Sequence, residues 1–175
     1  MRVFSVVLVL CVLTVVASAQ APAARPAATP AAKPLGNLAQ VMRAILFPNS
    51  NIIFFTQSDD PADAKKPLDV TFGTFANVYT GWPVVENAAI ALNESADLLV
   101  KPGRLCSNGR PVPVNRADYR KFTQGLRDAG TATLKAAQTK NMDKMIEAAG
   151  TVSEACENCH TVYREKADLK DRCIP

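Results

Sequence analysis

Residues 142–163, which read MDKMIEAAGTVSEACENCHTVY, place apolar or small side chains at alternating steps of three and four. This spacing is typical of a helix that buries one face. Three earlier stretches repeat it: one passes through Leu35, Leu38, Met42 and Ile45, and the others run from Trp82 to Leu99 and from Tyr119 to Ala136. A lone apolar run at 52–55 has no second run to pair with, so it is expected in a loop or at a helix end. The sequence therefore predicts an all-α fold, specifically a four-helix bundle.

Helix breakers and caps delimit these stretches. The segment Pro48-Asn49-Ser50-Asn51 is expected to interrupt or end the first helix, because proline lacks a backbone N–H. Residues 101–114 contain three prolines and an Asn-Gly turn, which predicts a loop between the second and third helices. Asn141 is the expected N-cap of the last helix.

The N-terminal region divides into two segments. Residues 1–19 combine Arg2, an apolar run over 3–16 and the sequence Ala17-Ser18-Ala19, which predicts a secretory signal peptide cleaved before Gln20. Residues 20–34 place a proline every four positions among alanines, which predicts a flexible tether. Residues 35–175 then form one domain. The apolar run is too short for a membrane span, so we expect an exported, periplasmic protein with no stable span after cleavage.

The overall charge argues against one class of partner. The formal net charge is only +4, and the cationic residues are dispersed along the chain. We therefore expect no binding to nucleic acid.

The sequence Cys156-Glu157-Asn158-Cys159-His160 has the C-x-x-C-H spacing of covalent c-type haem attachment. On a helix, residues at i, i+3 and i+4 share a face, so both thiols could reach one porphyrin while the imidazole points at its iron. His160 is also the only histidine of the chain. The motif predicts one covalent haem c, bound by Cys156 and Cys159, with His160 as the proximal iron ligand.

Three other uses of the two cysteines fit the sequence less well. A zinc site could be completed by Cys106 and Cys173, but it would leave His160 without a role. A thioredoxin-like dithiol needs its first cysteine at a helix N-terminus, whereas this motif lies well inside a helix. A disulfide within C-x-x-C would be strained and would also leave the histidine unexplained.

A helical bundle whose haem motif lies on the last helix resembles the class II c-type cytochromes, which comprise cytochrome c prime and its low-spin, methionine-ligated relatives. The matching residues are Cys156, Cys159 and His160, followed by Tyr163 and Arg164. The resemblance implies that Arg164 lies close to the haem, where it either pairs with a propionate or keeps the proximal side positive. The alternative is a solvated charge on a highly charged tail.

Because the chain has no second histidine, the candidates for the sixth iron ligand are methionine, lysine, water or no ligand at all. Met142 and Met145 precede His160 on its own helix by more than about 20 Å along the axis, too far to reach the iron. The resemblance implies a methionine ligand on the first helix, where Val41-Met42 matches the relatives. Met42 is therefore the candidate, and the alternative is that it only fills core space.

Cys106 and Cys173 lie outside the haem motif, each in a predicted non-helical stretch. Because an exported protein meets an oxidising compartment, we expect a disulfide between them. The alternative is that the two thiols are free or form disulfides with another molecule.

The sequence-based hypothesis is a one-electron carrier that serves periplasmic redox proteins and is no enzyme. The alternative is a five-coordinate haem module that binds small gases such as nitric oxide. The sequence does not decide whether two chains form a homodimer through a helix face.

Overall fold

The computed structural model describes residues 32–63 and 80–175 of the chain. Four helices dominate them: α1 (Leu38–Phe55), α2 (Trp82–Leu99), α3 (Ala117–Gln138) and α4 (Met142–Tyr163). No strand occurs in these two ranges, where the only extended pairing is an isolated bridge between Leu105 and Pro111. The predicted all-α fold is confirmed. The predicted signal peptide (1–19) and most of the predicted tether (20–34) lie outside the described residues.

Pro48 does not end α1, which continues to Phe55. The regular α geometry is interrupted just before the proline, because Met42–Leu46 form a π turn whose last bond runs from the Phe47 N–H to the Met42 carbonyl. In a regular α-helix the proline ring would collide with the carbonyl four residues earlier. Pro48 lies at the start of the α-helical segment Phe47–Phe55 that follows the π turn. The prediction that residues 48–51 interrupt or end the helix is therefore wrong: they lie within regular α-helix, and the irregular π turn precedes them.

The π turn also changes which side of α1 is buried. One extra residue in a turn rotates the following side chains by about 100° around the helix axis. Leu46, Ser50 and Ile53 are accordingly the buried residues of α1. Leu35, which was expected on the buried face, precedes the helix and is fully exposed. The predicted buried face of α1 is therefore wrong at Leu35. After Met42 the buried side of the helix is rotated away from the predicted one.

Helices α2 and α3 pack in close contact. Gly130 lies where a Cβ atom would come within 2.8 Å of the backbone nitrogen of Asn93 and 3.0 Å of the Ala89 carbonyl oxygen. The Asn93 side chain donates hydrogen bonds to the Arg127 carbonyl (2.9 Å) and to the Thr131 hydroxyl (2.8 Å). The absent side chain at Gly130 thus permits a backbone approach that the Asn93 amide then reinforces.

The predicted faces of α2 to α4 form the core. Leu126, Met145 and Val152 pack against α2 from α3 and α4. The buried face of α2 includes Trp82, Val85, Ala89, Leu92, Ala96 and Leu99. Asn141 caps α4, as expected, by accepting a hydrogen bond from the Lys144 N–H at 2.9 Å.

Among the described helices, α1 alone has the length and mean hydropathy (1.2) of a membrane-crossing segment. Helices of a protein core meet the same two criteria. In this structure Leu46 and Ile53 of α1 belong to the core, and most other side chains of the helix are only partly buried.

Candidate functional site

A cavity of about 630 Å³ lies between α1 and α4, with α3 contributing a further wall. Its volume falls within the range of about 300–1,000 Å³ that is usual for ligand and cofactor sites. It brings together every site residue predicted from the sequence: Met42, Cys106, Cys156, Cys159, His160, Arg164 and Cys173. Residues from the two ends of the domain thus meet at one place.

The α4 wall carries the C-x-x-C-H motif. Cys156, Cys159 and His160 lie in the last two turns of α4, and all three are partly buried on its cavity side. Both cysteines are free thiols. Because Cys156 lies far from the N-terminus of α4, the helix dipole cannot activate it as it activates the dithiols of thioredoxin-like proteins.

Burial controls the ionisation of these groups. It raises the pKa of the Cys156 thiol; together with smaller contributions from Cys156 and the Asp118 carboxylate, it raises the pKa of the Cys159 thiol to about 11. Burial also lowers the pKa of His160, and the nearby Arg164 charge lowers it further. At neutral pH the motif therefore presents two protonated thiols and a neutral imidazole, which is the form that ligates metals.

The opposite wall is formed by α1. Met42 lies there at the first position of the π turn, with Leu38, Leu46 and Phe54 as apolar neighbours along the cavity. Leu38, Met42 and Phe54 are only partly buried, whereas Leu46 is buried in the core. A molecule in the cavity would cover apolar surface that α1 otherwise leaves partly open.

An aromatic cluster closes the end of the cavity beside Cys159. Tyr163 meets Tyr119 edge to face with ring centroids 5.3 Å apart, and Phe122 is 6.3 Å from Tyr163 in a similar arrangement. The Tyr119 hydroxyl donates to the Leu99 carbonyl at 3.2 Å, and burial raises the pKa of Tyr119 strongly. Tyr119 was expected on the α3 face as a core residue; it is buried there and lines the cavity as well.

The predicted partner of Cys106 is observed. Cys106 and Cys173 form a disulfide with Cα atoms 6.5 Å apart, and it borders the cavity. The pairing consumes both thiols that the zinc alternative required. Within the described ranges, no group of three or more His, Cys, Asp or Glu side chains could hold a metal ion. The four-cysteine zinc interpretation therefore lacks its ligands.

Three arginines line the cavity, and one of them, Arg43, is an exposed residue of α1. Arg164, which was expected near the cofactor, lines the cavity, but its side chain is 55% exposed and pairs with Glu165 at 3.4 Å. Arg172 also lines the cavity and was not predicted from the sequence. The sequence signal that could have identified Arg172 is its position next to Cys173. A disulfide at Cys173 brings the neighbours of Cys173 close to Cys106 and hence to the cavity.

No family model, curated protein or solved structure matches this chain.

Proposed function

We propose that this protein is an exported monohaem c-type cytochrome that carries single electrons, built as a four-helix bundle with its covalent haem on α4. The observation that carries the proposal is the cavity whose α4 wall holds Cys156, Cys159 and His160 while its α1 wall holds Met42. The three side chains of one motif and the sequence-distant Met42, which together suit one haem, line a single space.

The residues at the cavity fit a haem. Two free thiols spaced by three residues share a helix face with an imidazole that is neutral at neutral pH. The cavity has the volume of a cofactor site and a largely apolar α1 wall. Cys156 and Cys159 would hold the group through thioether bonds, and His160 would hold its iron. When bound, a haem supplies an iron that gains and loses one electron.

The protein's own residues would tune such a carrier. Tyr119, Phe122 and Tyr163 would keep water away from Cys159, and Met42 would hold the iron together with His160, a ligand pair that raises the reduction potential. The disulfide supports an oxidising compartment, in keeping with export to the periplasm. Its partners would then be periplasmic redox proteins.

The experiment is expression of the full chain in cells with working cytochrome maturation, followed by intact mass measurement and a visible spectrum. We expect a red protein whose added mass survives denaturation, cleaved before Gln20. The double variant Cys156→Ser/Cys159→Ser is the matched control and should lose the covalent mass. A colourless parent protein with no added mass would refute the proposal.

A second candidate is a five-coordinate haem module that binds small gases. The partly open α1 wall favours it, because Leu38, Leu46 and Phe54 would form an apolar distal pocket if Met42 stayed away from the iron. Carbon monoxide titration of the reduced protein separates the two functions: the carrier resists the gas and the open module binds it readily.

A further inference from the structure

The chain beyond α4 folds back against the cavity. After α4 ends at Tyr163, a short 3₁₀ turn at Leu169–Asp171 returns the tail to the body of the protein. The Cys173 N–H donates to the Tyr163 carbonyl at 2.8 Å, and Cys173 is bonded to Cys106. The tail is thus attached both to the end of α4 and to the loop between α2 and α3.

The same loop holds the tail through its side chains. The Asn108 amide nitrogen lies 2.9 Å from the Arg172 carbonyl oxygen and 3.0 Å from that of Lys170. The Arg110 Nε–H also donates to the Lys170 carbonyl, at 3.2 Å. Residues 170–173 are therefore held in one position by backbone hydrogen bonds, side-chain hydrogen bonds and a disulfide.

This attachment brings the Arg172 side chain to the cavity wall, where its Nε atom is buried and has no hydrogen-bond partner within the described residues. A buried donor on a charged group costs free energy when it is unpaired, so such a group in a native structure calls for a partner. The guanidinium fork matches the two oxygens of a carboxylate.

The other arginines at or near the cavity either are exposed or already have acceptors; Arg43, which lines the cavity, is exposed. Arg164 pairs with Glu165, and Arg116 pairs with Asp118 at 3.0 Å. Arg104 donates to the carbonyls of Leu98 and Gly36. Arg172 is distinguished from them by a buried donor that the described protein leaves unpaired.

We propose that Arg172 binds a carboxylate of the group held in the cavity, which under the proposed function is a haem propionate. The inference rests on that function and assigns the propionate contact to the disulfide-anchored tail, whereas Arg164 remains at the surface. The Cys106–Cys173 bond then positions a ligand-binding residue in addition to stabilising the fold.

The test measures reversible porphyrin binding to the full chain carrying Cys156→Ser and Cys159→Ser. Zinc protoporphyrin IX and its dimethyl ester, which differ only in the two carboxylates, are titrated by fluorescence. Adding Arg172→Gln should weaken binding of the free acid about tenfold, the effect of losing one charged hydrogen bond. Binding of the ester should not change. Lys170→Gln is the matched control, because it removes a charge from the same tail at a side chain 75% exposed and should alter neither affinity.

The outcomes separate the two proposals. Equal affinity of the parent and Arg172→Gln for the free acid, or equal losses for acid and ester, would overturn the role of Arg172 and leave the haem assignment standing. If the parent binds neither porphyrin and the native chain takes up no haem, both proposals fail. Should circular dichroism show Arg172→Gln unfolded, Arg172→Lys decides: a retained preference for the acid supports the contact, and its absence overturns it.

Discussion

The Nε–H of Arg116 donates to the Tyr163 hydroxyl at 3.1 Å, joining the residue before α3 to the last residue of α4. The same guanidinium forms two 3.0 Å bonds to the Asp118 carboxylate. These contacts hold the two helix ends together at the aromatic end of the cavity. They also couple the stability of this region to the charge of Asp118.

Asp118→Asn should remove an acid-sensitive part of the stability. The hydrogen bonds from Arg116 lower the pKa of Asp118 to about 2 from an ordinary value of 3.8. Because the folded pKa is depressed, the stabilisation is complete above about pH 4 and is lost as the pH falls towards 2. Urea unfolding at several pH values should show the parent more stable than the variant at pH 6, with the difference shrinking between pH 4 and 2. A difference that stays constant across this range would contradict the assignment.

Gly130→Ala should destabilise the packing of α2 on α3. The new Cβ would lie 2.8 Å from the Asn93 backbone nitrogen, so the helices must separate, at a cost of about 1–3 kcal/mol in unfolding free energy. Gly125→Ala on the same helix meets no atom within 4 Å and should stabilise the protein by about 0.5–1 kcal/mol. Chemical denaturation of both variants measures the contrast. Similar effects of the two substitutions would argue against the close approach.

Cys106→Ser/Cys173→Ser should lower the unfolding free energy by roughly 4 kcal/mol, because the bond closes a loop with a sequence separation of 67. The measurement is denaturant unfolding of the oxidised parent against the double variant. Reduction of the parent should reproduce the loss, whereas reduction of the variant should change nothing. If the parent and variant unfold at the same denaturant concentration, the loop-closure argument fails.

Met42→Ala should open the iron to carbon monoxide in the reduced, haem-loaded protein. Met42 lines the same cavity as His160, so its removal would leave a free axial position if it is the sixth ligand. The spectrum during gas titration is the readout, and Met142→Ala, at the far end of α4, is the matched control. If the parent binds carbon monoxide as readily as Met42→Ala does, Met42 is not an iron ligand. That result would favour the gas-binding alternative.

The helices were predictable to different degrees for a physical reason. The faces of α2, α3 and α4 follow from side-chain spacing alone, since a regular helix repeats every 3.6 residues. In α1 the same rule fails after Met42, because the π turn before Pro48 shifts the register. The spacing of apolar residues cannot show whether a proline ends a helix or is accommodated by a wider turn.

The residues of the candidate site also differ in whether the sequence alone could identify them. Cys156, Cys159 and His160 could be selected from their spacing, because their chemistry depends on neighbours within one helix turn. Arg172 could not, because its place depends on a disulfide, on Asn108 and on the backbone of Tyr163, which are contacts between distant parts of the chain.

The sequence alone was thus enough to predict the all-α fold, to identify the C-x-x-C-H motif and to pair Cys106 with Cys173. Each of these inferences rests on residue spacing or on the small number of candidate residues. Packing of the whole domain was needed to bring Met42 and His160 to one cavity, to leave that cavity between α1 and α4, and to bury the unpaired Nε of Arg172. These features arise from the mutual fit of several helices, which no short stretch of sequence encodes.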